Sequence, residues 1–167
     1  NRKGKIVSKQ FPDVAEIVRN YEVDNVIFDG EIYPINEDGS PAEHKLMGTR
    51  VHSKNVAEAM ERVKVKWVIF DCLKWAGETI MDLPYDQRLE RFKGNPDQAQ
   101  RMPEGGDVMA FYNVAINEGF EGIIVKDASL PYEAGKRSKG WAKYKPPLIE
   151  LDVVILSAQY GEGKKSN

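Results

Sequence analysis

Residues 65–73, VKWVIFDCL, constrain the fold more than any other stretch. The run is strongly apolar and of strand length, far short of the ~20 apolar residues that a membrane-crossing helix needs. Around it the chain alternates between helical and strand periodicity. Residues 12–20 read as a helix, with Pro12 suited to the first turn and Val14, Ile17 and Val18 on one face. Residues 26–28 and 32–35 read as two strands flanking Asp29-Gly30-Glu31, and residues 36–39 (NEDG) as the turn that follows. Ser53 is placed to cap a helix over residues 54–63. Further helices are expected over residues 83–93, opened by Pro84, and over residues 108–117, capped by Asp107. Residues 123–125 form a short strand, and alternation returns in residues 140–145 and 151–155. Strands and helices mixed without strict β-α-β order argue an α+β domain with antiparallel sheets and flanking helices. Residues 94–106 are polar and turn-rich, hence a surface loop and the expected place for mobile chain.

Composition narrows the classes. The 167 residues suffice for one domain with a sizeable core, and 41% hydrophobic with 30% charged residues is the balance of a soluble globular protein. A net charge of -2 gives no global basic field, so any attraction to phosphate must come from a local cluster. The single cysteine, Cys72, excludes an internal disulfide and reads as an inert core thiol in a reducing compartment. Two histidines, His44 and His52, leave little for a zinc site built on His and Cys. The chain starts at Asn1 without Met, and its last residues are a polar turn, so a piece of a longer protein is expected.

Four short stretches can carry chemistry. In FDGE a glycine bends the backbone beside Asp29 and Glu31, and Glu31 begins a strand where its carboxylate can be fixed in a cleft. Carboxylates presented in this way from different strands hold hard divalent cations beside phosphate; the alternative is a turn whose acids face water. Phe70, at the end of its apolar run, can stack on a nucleobase or serve the core. EGIIVKD brackets an apolar strand between Glu121 and Lys126, which fall on opposite sides if the strand is regular. In residues 135–145, GKRSKGWAKYK, five of eleven residues are Lys or Arg and none is acidic. Lys143 and Lys145 share a face there, with Trp141 on the same side, and two ammonium groups so placed suit an anion between them. A solvated basic edge strand is the competing reading.

The order FDGE, WVIFD, EGIIVKD, KRSKGWAKYKP closely resembles the ordered motifs of the ATP-dependent DNA ligases, members of the covalent nucleotidyltransferases with RNA ligases and mRNA capping enzymes. The linking text KQFPDVAEIV, LPYDQRLERF and PYEAGKRSKGWAKYKP resembles the archaeal and cellular type, and LDVVILSAQYGEGKK resembles the entry to an OB-fold domain. The resemblance implies an ATP-grasp-like nucleotidyltransferase domain over residues 1–147 and the start of an OB-fold domain over residues 148–167. It implies ATP as cofactor, leaving AMP on the protein, with Mg²⁺ or Mn²⁺. It implies nicked double-stranded DNA as partner in repair, replication and recombination. It further implies a monomer without membrane attachment, cytoplasmic and nucleoid-associated, or nuclear in a eukaryote.

Residue by residue, the resemblance implies that Glu31 and Glu121 serve the metal. Phe70 stacks on adenine, and Lys143 and Lys145 contact the α-phosphate. Arg137 and Trp141 match the KRSxxW element, and Lys126 is a candidate phosphate contact. Arg2 resembles the arginine of Ser-Arg-x-Gly, although Asn1 stands where that motif has serine. Lys143, Lys145 and Glu121 are thus the catalytic candidates, and Phe70, Glu31, Arg2, Arg137, Trp141 and Lys126 the nucleotide-binding ones. The departure is the lysine nucleophile: no Lys-x-Asp-Gly occurs, since Asp29-Gly30 follows Ile27-Phe28 and Asp38-Gly39 follows Asn36-Glu37. That lysine is expected upstream of Asn1. Residues 92–110 are also shorter than expected for the family. An RNA ligase or capping-type parent, and a non-catalytic nucleotide- or DNA-binding module, are the alternatives.

Overall fold

The computed structural model describes residues 4–136, 138–147, 154, 156 and 157. Arg2, Arg137 and nearly all of residues 148–167, with the expected strand at 151–155 and the expected OB-fold entry, lie outside them. In chain order the elements are α1 (Pro12–Arg19), β1 (Ile27–Ile35), a 3-10 turn (His44–Leu46), α2 (Met47–His52), α3 (Val56–Arg62), β2 (Lys64–Trp75), β3 (Glu78–Thr79), α4 (Tyr85–Leu89), α5 (Val108–Asn117), β4 (Ile123–Lys126) and β5 (Trp141–Tyr144). They build two antiparallel sheets, β1-β2-β3 and β4-β5. Among the described residues no helix is long and apolar enough to cross a membrane.

The apolar run is β2, extended at both ends and paired along its length with β1. The two strands read on either side of Asp29-Gly30-Glu31 are one strand, and the stretch between them is not a turn. Gly30 permits this, because a Cβ there would lie 2.4 Å from the Val68 carbonyl oxygen. The ladder slips on either side of the Phe28/Cys72 and Asp29/Asp71 pairs: Asp29 faces Asp71, Gly30 faces Ile69, and Phe70 is left without a partner in β1. A bulge of this kind turns the extra residue's side chain out of the regular pleat. From Trp75 the chain turns through Ala76 and Gly77, both at positive φ (48° and 91°), into β3.

The helices match less closely. Asn55, not Ser53, caps the helix before β2: its side chain accepts from the Glu58 amide, while Ser53 bonds locally with Asn55. The helix expected over residues 83–93 is helical only over Tyr85–Leu89 and ends in turns. Asp107 caps α5 as expected, accepting from the Met109 and Ala110 amides. Residues 94–106 are not a free loop. Ile69 donates its amide to Asp97 and accepts from Ala99, at 2.7 and 2.8 Å, which lays this segment along β2.

The core lies between the three-stranded sheet and α4: Ile69, Cys72, Ile80, Tyr85, Leu89 and Phe92. Phe28 joins it through a tilted contact with Tyr21 and edge-to-face contacts with Trp67, Trp75 and Phe92, at centroid separations of 5.5 to 6.4 Å, each such pair adding about 0.5–1.5 kcal/mol beyond its buried area. Cys72 is buried there, and burial pushes its thiol up to about 11, in keeping with an unreactive core thiol. Two buried arginines fix the periphery. Arg50 of α2, a helix the sequence pattern did not suggest, pairs with Asp13 of α1 at 2.6 Å and donates to the Val63 and Gln10 carbonyls. Arg88 of α4 forms a two-pronged pair with Asp71 of β2, Nε to Oδ1 and Nη2 to Oδ2 both at 2.8 Å, with both side chains at 0% exposure. Its third nitrogen donates to the carbonyls of Leu83 and Leu130.

Removing one member of such a pair strands the other charge in the core. Asp71→Ala or Arg88→Ala is therefore expected to lower the unfolding free energy by about 3–5 kcal/mol. The double substitution Asp71→Leu with Arg88→Met should lose less than either, as read from denaturant midpoints.

Candidate functional site

Side-chain alternation decides which residues face one another. On β2, Trp67 and Ile69 point to the core, so Val68 points the other way, and the bulge that follows leaves Phe70 outside the β1 pairing. Glu31 lies opposite Val68 in the ladder and shares that face. In the second sheet Ile124 pairs with Lys143, and Lys126 with Trp141. These four share one face, while Tyr144 on the other face meets Tyr112 of α5 at a 4.8 Å centroid separation. Helix α5 thus backs the small sheet and its front is turned toward β2.

The two faces meet at Phe70. Its ring lies 6.4 Å from Trp141, nearly perpendicular to it, and Trp141 also contacts Tyr85 and Tyr132. The Lys126 ammonium sits among these rings, 3.9 Å from the centroid of Trp141, 4.3 Å from Tyr85 and 4.8 Å from Phe70. It donates to the Phe70 carbonyl at 2.9 Å, and Tyr85 donates to the same oxygen at 3.1 Å. Burial pushes the Lys126 ammonium down to about 8, against the opposing pull of the Asp71 and Asp29 carboxylates. The candidate phosphate contact therefore has its ammonium committed to a carbonyl and three rings.

Residues 128–132 strap the second sheet to the first and to α4. Leu130 and Ala128 accept from the Tyr85 and Asp86 amides, and the Tyr132 amide donates to Met81. The Tyr132 hydroxyl donates to Asp29 of FDGE at 2.6 Å. Burial, then this bond to a carboxylate, pushes the phenol well above its ordinary value. Tyr132 and Asp71 were not singled out from the sequence. The signal for Asp71 was its place as a lone acid in an apolar strand, beside Phe70.

The catalytic candidates lie at the open end. Glu121 precedes β4 and Lys143 lies in β5, and they form an exposed ion pair at 2.7 Å, with side chains 71% and 49% accessible. Gly122 lets β4 approach this closely, since a Cβ there would fall 2.1 Å from the Tyr144 carbonyl oxygen and its φ is 144°. Lys145 follows β5, exposed. The Lys143 hydrogen bond and charge, with a smaller contribution from Lys145, hold the Glu121 carboxyl below its ordinary range. Glu31 is exposed on the facing sheet. The described residues contain no cluster of three or more His, Cys, Asp or Glu side chains placed to hold a metal ion. The chain thus brings Phe70, Trp141 and Lys126 into contact, pairs Glu121 with Lys143, and presents Glu31 on the facing strand.

Two small antiparallel sheets thus meet at an aromatic cluster around Lys126, with Lys143 and Glu121 exposed beside it. Known proteins supply the assignment. A family profile described as "ATP dependent DNA ligase domain" matches residues 1–145, and the chain belongs to that family. It is 33% identical over its whole length to a DNA ligase of Halobacterium salinarum and 29% identical to one of Thermococcus fumicolans, covering 32% of each. The chain spans about a third of the length of the curated relatives it matches. Among solved structures, the ligase domain of M. tuberculosis LigD superposes with a TM-score of 0.65 at 22% identity, over 86% of this chain and 46% of that one. A mycobacterial DNA ligase D described as complexed with ATP and MES gives 0.60 at 23% identity, over 83% and 42%. The α+β architecture with small antiparallel sheets is that of these ligase domains.

A carboxylate held low by a partner stabilises the fold above its unfolded value and loses that contribution as pH falls through its folded value. A carboxyl-carbon NMR titration should place Glu121 below the ordinary glutamate range. Lys143→Ala should return it toward that range, and Lys145→Ala should move it less.

Proposed function

We propose that this chain is the nucleotide-binding core of an ATP-dependent DNA ligase. The parent protein would seal nicks in three steps: AMP transfer to its own lysine, AMP transfer to the 5′-phosphate of the nick, and attack by the 3′-hydroxyl with release of AMP. The observation that carries this reading is the meeting of Phe70 with Trp141 and Lys126, which brings the family's separate motifs together. In this reading Phe70 offers its ring to adenine, and Lys143 and Lys145 stabilise charge building on the α-phosphate. Trp141 packs behind Phe70, and residues 128–132 hold β1 and α4 beside it. Arg2 and Arg137 are proposed as further nucleotide contacts.

Glu31, on β1, and Glu121, just before β4, are hard oxygen donors. They suit Mg²⁺ or Mn²⁺, which typically uses one or two carboxylates together with substrate phosphates. Such an ion would supply further neutralisation of phosphate charge. Lys143 holds Glu121 through one contact, and its ammonium keeps further N–H donors for a phosphate. No Lys-x-Asp-Gly occurs in these 167 residues, and we assign the nucleophilic lysine to sequence outside them, as we do the OB-fold domain that residues 148–167 would enter. The setting is wherever the organism keeps its DNA.

The test is labelling with ATP carrying a labelled α-phosphate. The whole parent protein should take up label, whereas the 167 residues alone should not; label on this chain alone would show the nucleophile assignment to be wrong. In the parent, Lys143→Ala or Lys145→Ala should slow AMP transfer by about a hundredfold or more. Sealing of nicked DNA but not of nicked RNA would set aside an RNA-ligase parent. For DNA binding, two to four phosphate contacts predict a log–log salt slope of about −2 to −4.

A further inference from the structure

We propose that Lys126 is a positioning residue for the nucleotide, acting through Phe70 and not on phosphate. This rests on the reading of Phe70 as the ring that meets adenine. The argument begins with the bulge. Phe70 is the residue of β2 that the β1 ladder skips, so the ladder does not by itself fix how its peptide and ring are aimed. Two side chains from other elements hold that peptide instead. Lys126 of β4 and Tyr85 of α4 both donate to the Phe70 carbonyl. The same ammonium touches the rings of Phe70 and Trp141. One charged group therefore holds both the backbone and the ring of Phe70, and ties them to the sheet that carries Lys143.

Packing alone does not account for a lysine here. An ammonium among three rings gives up much of its hydration, and the charges facing it are Asp71 on β2, Asp29 on β1, Arg88 on α4 and Arg101 beyond it. Arg88 is already committed to Asp71, and Asp29 to Tyr132. Methionine, of similar length and wholly apolar, would fill the same space without that cost. A local rule broken in a structure that otherwise obeys it is expected where function is served. The ammonium supplies what methionine lacks: a hydrogen bond to the bulged carbonyl and an attraction to the faces of the surrounding rings.

The experiment compares Lys126→Met, Phe70→Ala and the double variant in the full-length ligase that carries this chain, reading KM for ATP, kcat of self-adenylylation and Tm. The expected result is that Lys126→Met keeps or raises Tm, leaves kcat within about twofold and raises KM roughly ten- to thirtyfold, the scale of a desolvated cation–ring contact. The double variant should then be no worse than Phe70→Ala alone. A fall in kcat at unchanged KM would mean that Lys126 serves the phosphate, and would overturn the proposal. A fall in Tm with KM unchanged would reduce it to packing, and would also overturn it. If Phe70→Ala raises KM and Lys126→Met does not, only the Lys126 assignment fails. If Phe70→Ala leaves KM unchanged, the adenine reading itself fails, and the proposal with it.

Discussion

The buried pair between Asp71 and Arg88 is the constraint on which the rest of this structure depends. It joins the central strand to α4 with two parallel hydrogen bonds at 2.8 Å. The same guanidinium reaches the Leu83 and Leu130 carbonyls. Leu130 belongs to the strap that leads into β5, so one side chain sets the position of the central strand, its neighbouring helix and the connection between the two sheets. A charge pair without solvent contributes modestly to net stability, because the cost of removing both ions from water is nearly as large as their attraction. Its geometry is nevertheless strict, since a guanidinium fork accepts few arrangements of a carboxylate. Asp71 is next in sequence to Phe70, so the pair anchors the strand beside the proposed adenine platform.

Close approach of backbones does the remaining work. Gly30 and Gly122 stand where a Cβ would collide with the carbonyl of a neighbouring strand. The first allows β1 to run unbroken through FDGE, and the second brings Glu121 within reach of Lys143. Both glycines sit inside the motifs that the sequence presents as chemistry. Their immediate service is to geometry: they let neighbouring strands approach closely, and at Gly122 this brings a carboxylate to a lysine. The pairing of Glu121 with Lys143 also lowers the cost of holding either charge on the rim.

Much of this could be read from the chain. The run VKWVIFDCL is a central strand because its length and apolar content allow little else. Pro12 and Asp107 mark helix starts because an N-terminal turn needs a proline-compatible dihedral or a side-chain acceptor. Where the reading failed, the cause was local ambiguity resolved by tertiary contact. Asp29-Gly30-Glu31 has the composition of a turn, yet pairing with β2 holds it extended. Ser53 and Asn55 are both competent caps, and only the path of the chain selects Asn55. Helix α2 carries no clear apolar stripe, and its Arg50 is buried because Asp13 and two carbonyls from distant segments surround it.

By itself the sequence determined the α+β class, the order of the motifs and the kinds of side chain they carry: an aromatic ring, paired lysines and carboxylates. Those follow from short-range pattern and from chemistry each residue carries wherever it lies. Only the tertiary structure decided that Lys126 turns inward to the Phe70 carbonyl and three rings while Lys143 stays on the rim with Glu121. Both lysines belong to short strands with similar flanks, so nothing local distinguishes them. The difference is made by the bulge at Phe70 and by Tyr85, residues more than forty positions away from Lys126, which offer a desolvated carbonyl and ring faces to whichever ammonium arrives there.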